Sequence, residues 1–235
     1  MFTALIADLK RSTKLFMDET RAPVLDPKAG KTKTGYFWAL ARDDRPWGGA
    51  APPGVAFTYA AGRSGQYADD ILKGFTGILQ VDGYAGYNRL IQPDRVGPAI
   101  QLAYCWAHAR RKLFEVARNS TAPIAEDGLK RIAELYKIEA EVRGLASEAR
   151  LAARQIQSAP KIADFETWLT HHRARVSAKS PLSEALKYIA KYWAGLCLFM
   201  ADGRVEIDTD VVEQPPSHAS LGFGGLSLQA STMSA

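Results

Sequence analysis

At 235 residues the chain can bury a real core, as one large domain or a domain carrying an insertion. Its apolar fraction of 47% and charged fraction of 23% are those of an ordinary soluble globular protein, and its longest membrane-like run, Tyr192 to Ala201, is about half a bilayer span. The net charge of +5 favours a polyanionic partner, and two cysteines, Cys105 and Cys197, are too few for a disulfide framework, which fits a reducing compartment.

The apolar start, Met1 to Ala7, is short and runs straight into Asp8, Lys10 and Arg11, unlike a signal peptide. The expectation is a cytoplasmic protein with no membrane partner. Leu15-Phe16-Met17-Asp18-Glu19-Thr20 is a short apolar segment delivering a carboxylate, with Val24 and Leu25 following before Asp26-Pro27 closes it as a turn. Gly30-Lys31-Thr32 resembles the end of a phosphate-binding P-loop, but the first glycine of that motif would fall at Leu25, so a P-loop is rejected.

Aromatic-rich Gly35 to Ala41 reads as a second strand and Gly54 to Ala60 as a third. Tyr67 to Phe75 reads as a short helix with Ile71, Leu72 and Phe75 inward. Gly77-Ile78-Leu79-Gln80-Val81 is too brief for a helix and reads as a buried fourth strand. It ends on Asp82, followed at once by Gly83, Tyr84, Ala85, Gly86 and Tyr87. A carboxylate where a central strand opens into a loop is held rigidly and still meets a ligand, as in metal-dependent phosphoryl transfer. A solvated Asp-Gly turn has the same local sequence.

Ile100 to Tyr104 supplies a fifth strand running into a helix at Cys105-Trp106-Ala107-His108. Three strands on short loops, then a helix, then a strand is the order of a ribonuclease-H-like core: α/β, with a mixed five-stranded sheet. In such a core the first and fourth strands are neighbours, so Asp18 and Asp82 converge. The Cys105-x-x-His108 pair invites a zinc reading, but no second ligand pair lies nearby; His171, His172 and His218 stand in unrelated contexts. A packing or supporting role is expected instead. Arg110, Arg111, Lys112 and Arg118 form a basic stripe among Trp106 and Phe114, suited to phosphate contact and equally to a solvated helix face.

From Ile124 to about Arg154 the pattern is helical, with Leu135, Ile138, Val142 and Leu145 on one apolar face. Ile162, Phe165, Trp168 and Leu169 mark another helix, and Ser180-Pro181 starts a third with an N-cap followed by proline. These helices are expected to form an all-α bundle inserted into the core. Gly203 to Asp208 reads as a turn and short strand, and Asp210 and Glu213 have capping-box spacing. Pro215-Pro216 oppose helix continuation, and Gln214 to Ala235 carries no Asp, Glu, Lys or Arg, which reads as a disordered or out-of-frame tail.

Taken together, these pieces resemble a known family. Phe16-Met17-Asp18-Glu19-Thr20, Pro23 to Pro27, Gly30 to Gly35, Arg42 to Pro46, Gly77 to Tyr87, Cys105 to Lys112 and Asp202 to Glu213 are similar, in order, to the catalytic domain of the bacterial insertion-sequence transposases numbered sixty-six. The resemblance spans roughly residues 9 to 213. It implies a ribonuclease-H-like fold and an Asp-Asp-Glu triad, here Asp18, Asp82 and Glu213, holding two magnesium ions, with manganese as a substitute. It also implies double-stranded DNA as partner, both element ends and target, with metal-dependent cleavage and strand transfer by a homo-oligomer.

The implied division is a first core part at 9–118, a helical insertion at 119–201, a return to the core at 202–214 and a non-resembling tail at 215–235. Asp210 stands where the family usually has Asn and Gln214 where it has Arg, and the uncharged tail replaces a basic helical segment. The chain is accordingly read as a truncated copy. Two other readings stay open from the residues alone: a non-catalytic DNA-binding or oligomerising remnant, and a simple nuclease of the same fold.

Overall fold

The structure is a computed structural model that describes residues 2–26, 30–119 and 121–209. The chain forms two compact units, the first holding Met1–Asp43 and Pro52–Leu102, the second Asp44–Ala51 and Ala103–Asp208.

The first unit begins with helix α1 (Phe2–Leu9) and strand β1 (Lys14–Asp26). Lys14, Leu15, Phe16 and Met17 are all buried, so this end of β1 is covered on both faces, as an apolar run without alternation requires. Strand β2 (Lys31–Arg42) pairs with β1 antiparallel from Phe16↔Ala41 to Asp26↔Lys31. Strand β3 (Gly54–Ala60) joins β2 antiparallel only from Tyr36↔Ala60 to Arg42↔Gly54, so the distal part of the β1–β2 pair extends beyond it as a two-stranded ribbon. That is why the Val24–Leu25 segment belongs to β1 although Leu25 is exposed.

Helix α2 (Gly65–Ile71) follows, capped by Ser64, whose hydroxyl accepts from Gln66 N–H at 3.3 Å. It leads into strand β4 (Gly77–Val81), which pairs parallel with β1 through Lys14↔Ile78, Leu15↔Leu79 and Phe16↔Gln80. Strand β5 (Ile100–Tyr104) completes a five-stranded mixed sheet in the order β3-β2-β1-β4-β5. This α/β arrangement, with the first and fourth strands as neighbours, is compatible with a ribonuclease-H-like fold.

The second unit is helical. Helix α3 (Trp106–Asn119) packs on α4 (Pro123–Val142) and α6 (Pro181–Lys191), and α5 (Ser147–Arg173) packs on α4 and α6. Short helix α7 (Trp193–Leu196) follows α6. Its centre is aromatic: Trp106 meets Phe165 edge-on at 5.4 Å and Trp193 at 6.0 Å, and its indole N–H donates to Leu196 C=O at 2.8 Å. The cap expected at Ser180 is present, accepting from Ser183 N–H at 3.1 Å.

Three local expectations are corrected. The helix expected from Ile124 to Arg154 is two helices, because Gly144 takes φ 83°, a left-handed conformation that ends α4, while its N–H donates to Pro46 C=O at 2.8 Å. The helix expected around Phe165 is the later part of α5, which runs through Pro160; burial on both sides of the proline, at Arg154, Ser158, Phe165 and Trp168, holds the element together. Gly203 to Asp208 contains turns and no strand. Its Ile207 C=O instead accepts from Trp106 N–H at 2.9 Å, satisfying a donor that the first turn of α3 cannot pair internally.

Candidate active site

Asp18 lies inside β1 and pairs with Ala39 of β2; Asp82 is the first residue after β4. The parallel register of these strands runs to Phe16↔Gln80, so Asp18 and Asp82 each lie two residues past its last pair on neighbouring chain segments. Adjacent strands lie about 4.7–4.9 Å apart, so the two backbones deliver carboxylates to neighbouring points at one edge of the sheet's core. Both residues are half-buried. Their charges meet on Tyr87: burial first, then Glu19, Asp82 and Asp18 raise its phenol well above the usual range.

The loop after β4 is tied down from several sides. Asp82 Oδ1 accepts Tyr84 N–H at 2.8 Å, closing the Asx turn that its Asp-Gly start predicts. The Tyr84 hydroxyl donates to Arg63 C=O, and the Arg63 guanidinium lies 3.7 Å over the Tyr84 ring. Arg63 in turn donates from Nε to Glu19 Oε1 at 2.8 Å and from Nη2 to the same oxygen. Glu19 Oε2 accepts the Tyr87 hydroxyl at 2.6 Å, and the Tyr87 ring stands edge-on to Trp38 and Tyr84.

Both oxygens of the buried Glu19 are therefore satisfied by named donors, as a buried carboxylate requires. Burial raises the Glu19 carboxyl, the bonds from Tyr87 and Arg63 oppose that, and the Asp82 charge adds to the rise. Burial lowers Arg63, but its hydrogen bond and charge interaction with Glu19 outweigh this and raise it. The start of α2 comes so close to this loop that a Cβ on Gly65 would collide with the Gly86 carbonyl.

The sequence singled out Asp18 and Asp82 as candidates; Glu19, Arg63, Tyr84 and Tyr87, which surround the Asp82 loop in the structure, it did not single out. A signal was present: with Asp18 facing one side of β1, strand alternation turns Glu19 to the other, where a lone charge needs partners.

Glu213, the third expected carboxylate, lies outside the described residues, as do Asp210, Gln214 and the whole tail. Among the described residues no group of three His, Cys, Asp or Glu side chains is placed to hold a metal ion. Asp18 and Asp82 themselves supply the hard oxygen donors that magnesium and manganese favour, so the pair fits part of such a site.

Arg110, Arg111, Lys112 and Arg118 are all exposed on α3. Helical spacing places Arg111 and Arg118 on one face, with Glu115 between them, while Lys112 leans over the Tyr188 ring of α6 at 5.9 Å. Cys105 is buried, and burial pushes the Cys197 thiol up to about 12. Cys197 is therefore no reactive thiolate at neutral pH, and Cys105 is closed off by burial. Both are expected to react with N-ethylmaleimide roughly tenfold or more slowly in the native protein than after denaturation, which mass spectrometry of the labelled chain would measure.

A family model described as "Transposase IS66 family" matches residues 1–215. Among curated proteins, uncharacterized protein y4jD of Sinorhizobium fredii (strain NBRC 101917 / NGR234) is 39% identical over 224 residues, 94% of this chain and 44% of the relative. Uncharacterized protein y4qI of the same strain is 41% identical over 210 residues, 88% of this chain and 39% of the relative. Uncharacterized protein y4hP, also from that strain, is 36% identical over 234 residues, 94% and 42% respectively. The chain thus spans about two fifths of the length of these relatives.

Proposed function

This chain belongs to the transposase IS66 family, and from that premise we propose that it carries the DDE-type catalytic centre of a DNA transposase. The proposed reaction is metal-dependent DNA cleavage and strand transfer during transposition of an insertion sequence. The observation that carries this reading is the parallel pairing of neighbours β1 and β4, with Asp18 in β1 and Asp82 directly after β4. Asp18 is held by strand pairing, and Asp82 by the turn and the Arg63–Tyr84 contacts that tie its loop down.

Asp18 and Asp82, with Glu213 as the proposed third ligand, would hold magnesium or manganese. A divalent ion bound there supplies Lewis-acid stabilisation of phosphate oxygens and lowers the pKa of a water or hydroxyl nucleophile. The remaining work falls to the chain. Glu19, Arg63, Tyr84 and Tyr87 fix the Asp82 loop against β1, and the exposed basic residues of α3, Arg110, Arg111, Lys112 and Arg118, are proposed to contact DNA phosphates.

The division of the chain into a core at 9–118, a helical insertion at 119–201 and a return at 202–214 belongs to the same proposal. So do action in the cytoplasm and assembly into a homo-oligomer on double-stranded element ends and target. Among the described residues no helix is long and apolar enough to cross a membrane.

The test is incubation of the purified chain with a supercoiled plasmid carrying the element's ends, with and without magnesium. Magnesium-dependent nicking or joining is expected. DNA binding with no metal-dependent nicking would replace this reading with that of a non-catalytic DNA-binding protein.

A further inference from the structure

A site built from carboxylates repels the phosphodiester it acts on, so positive side chains at its rim are worth locating. Beside Asp82 the structure places one with unusual support. Arg63 stands just before α2, outside any strand, yet its guanidinium is fixed on two sides. Nε and Nη2 both go to Glu19 Oε1, and the flat face lies on the Tyr84 ring. Glu19 has a side-chain exposure of 1% and Arg63 one of 36%, so a buried carboxylate holds a cation that reaches solvent.

The remaining edge is the informative part. Among the described residues, Arg63 Nη1 donates to no acceptor. The planar fork of arginine suits this double duty: one edge anchors to a carboxylate while another remains directed outward, which the single ammonium of lysine does not reproduce. Tyr84, the platform under the guanidinium, is also the residue whose N–H binds Asp82. The cation is therefore positioned by the same loop that positions the acidic residue.

We propose that Arg63 is a phosphate-contacting residue of the site, presenting its Nη1 edge to a DNA phosphate beside Asp82 while Glu19 and Tyr84 hold its orientation. Glu19 is then a positioning residue acting through Arg63. The proposal rests on the reading of Asp18 and Asp82 as a DNA-processing centre, and its test separates the two.

The affinity of the full-length chain for a fluorescein-labelled duplex carrying the element end is measured by anisotropy over a range of sodium chloride, without divalent metal. The chains compared are wild type, Arg63→Lys, Glu19→Gln and the double variant Glu19→Gln/Arg63→Gln. The double variant removes the cation without leaving a buried carboxylate unpaired, and circular dichroism checks that each variant folds. Loss of one phosphate contact is expected to lower the slope of log affinity against log salt by about one in the double variant. Glu19→Gln and Arg63→Lys keep that slope, since the charge remains. Arg63→Lys still loses plasmid nicking severalfold, because the ammonium is not held in the guanidinium's geometry.

An unchanged slope in a folded double variant that still binds DNA overturns the Arg63 proposal and leaves the catalytic reading standing. A lowered slope in a chain that never nicks DNA overturns the catalytic reading and keeps the contact. Failure of the wild type to bind the duplex overturns both.

Discussion

Asp82→Asn is expected to reduce magnesium-dependent nicking by about a thousandfold or more while leaving the melting temperature within about 2 °C of wild type. The substitution is chosen over alanine because the loop depends on Asp82 as well. Its Oδ1 accepts Tyr84 N–H at 2.8 Å, and an asparagine amide oxygen accepts the same bond. What asparagine loses is the charge, and with it the capacity to act as an anionic ligand. A Lewis-acid contribution of several kcal/mol corresponds to roughly three or more powers of ten in rate.

Asp18→Asn should behave the same way, since β1, which carries Asp18, is the paired neighbour of β4, which leads into Asp82. Plasmid nicking and a thermal melt on each variant measure the two effects separately. Wild-type nicking by either variant would remove that residue from the proposed centre. A drop in melting temperature that accounts for the lost activity would show a structural role in its place.

Arg154→Ala is expected to destabilise the helical unit by about 3–5 kcal/mol. Arg154 has an exposure of 0%, and four acceptor groups converge on it. Its Nε and Nη2 form a two-pronged pair with Glu139 at 2.8 and 2.7 Å. Its other bonds reach Phe199 C=O at 3.0 Å, Asp202 C=O at 3.3 Å and Val205 C=O at 2.9 Å. Truncation strands a buried carboxylate and several carbonyls at once. The cost arises less from the lost attraction than from the groups left without donors.

Arg150 stands one helical turn earlier and pairs with Glu206 at 2.7 Å, but at 3.5 Å its contact with Glu139 is too long to replace what Arg154 supplies. Urea denaturation followed by tryptophan fluorescence reads the effect, since Trp106, Trp168 and Trp193 all lie in this unit. The double variant Glu139→Leu/Arg154→Met removes both charges together and is expected to recover part of the loss. A midpoint unchanged in Arg154→Ala would mean that the network contributes nothing to stability.

The sequence by itself determined the local elements wherever composition and punctuation agreed. The run Gly77 to Val81 is a strand because five residues with little polarity leave no room for a helix. Helix α6 starts at Pro181 because serine caps and proline tolerates the first turn. The order of elements was enough to expect β1 beside β4, and the sheet has them so. The two aspartates were legible because each ends or interrupts an apolar run.

The local pattern was insufficient where the outcome depended on distant neighbours. Gly144 ends a helix that the apolar periodicity would have continued through Leu145, and Pro160 fails to end one, because packing on either side outweighs one missing hydrogen bond. Arg150 and Arg154 are buried because Glu139 and the 199–206 segment come from elsewhere in the chain to meet them, which no local pattern reports. The parallel pairing that brings the Asp18 strand beside the one leading into Asp82, and the use of Glu19 to hold Arg63, are likewise tertiary facts. Sequence periodicity reports which face of an element a residue occupies. Only the pairing of strands and the packing of helices decide which other residue waits on that face, because those partners are brought together by chain closure over dozens of residues.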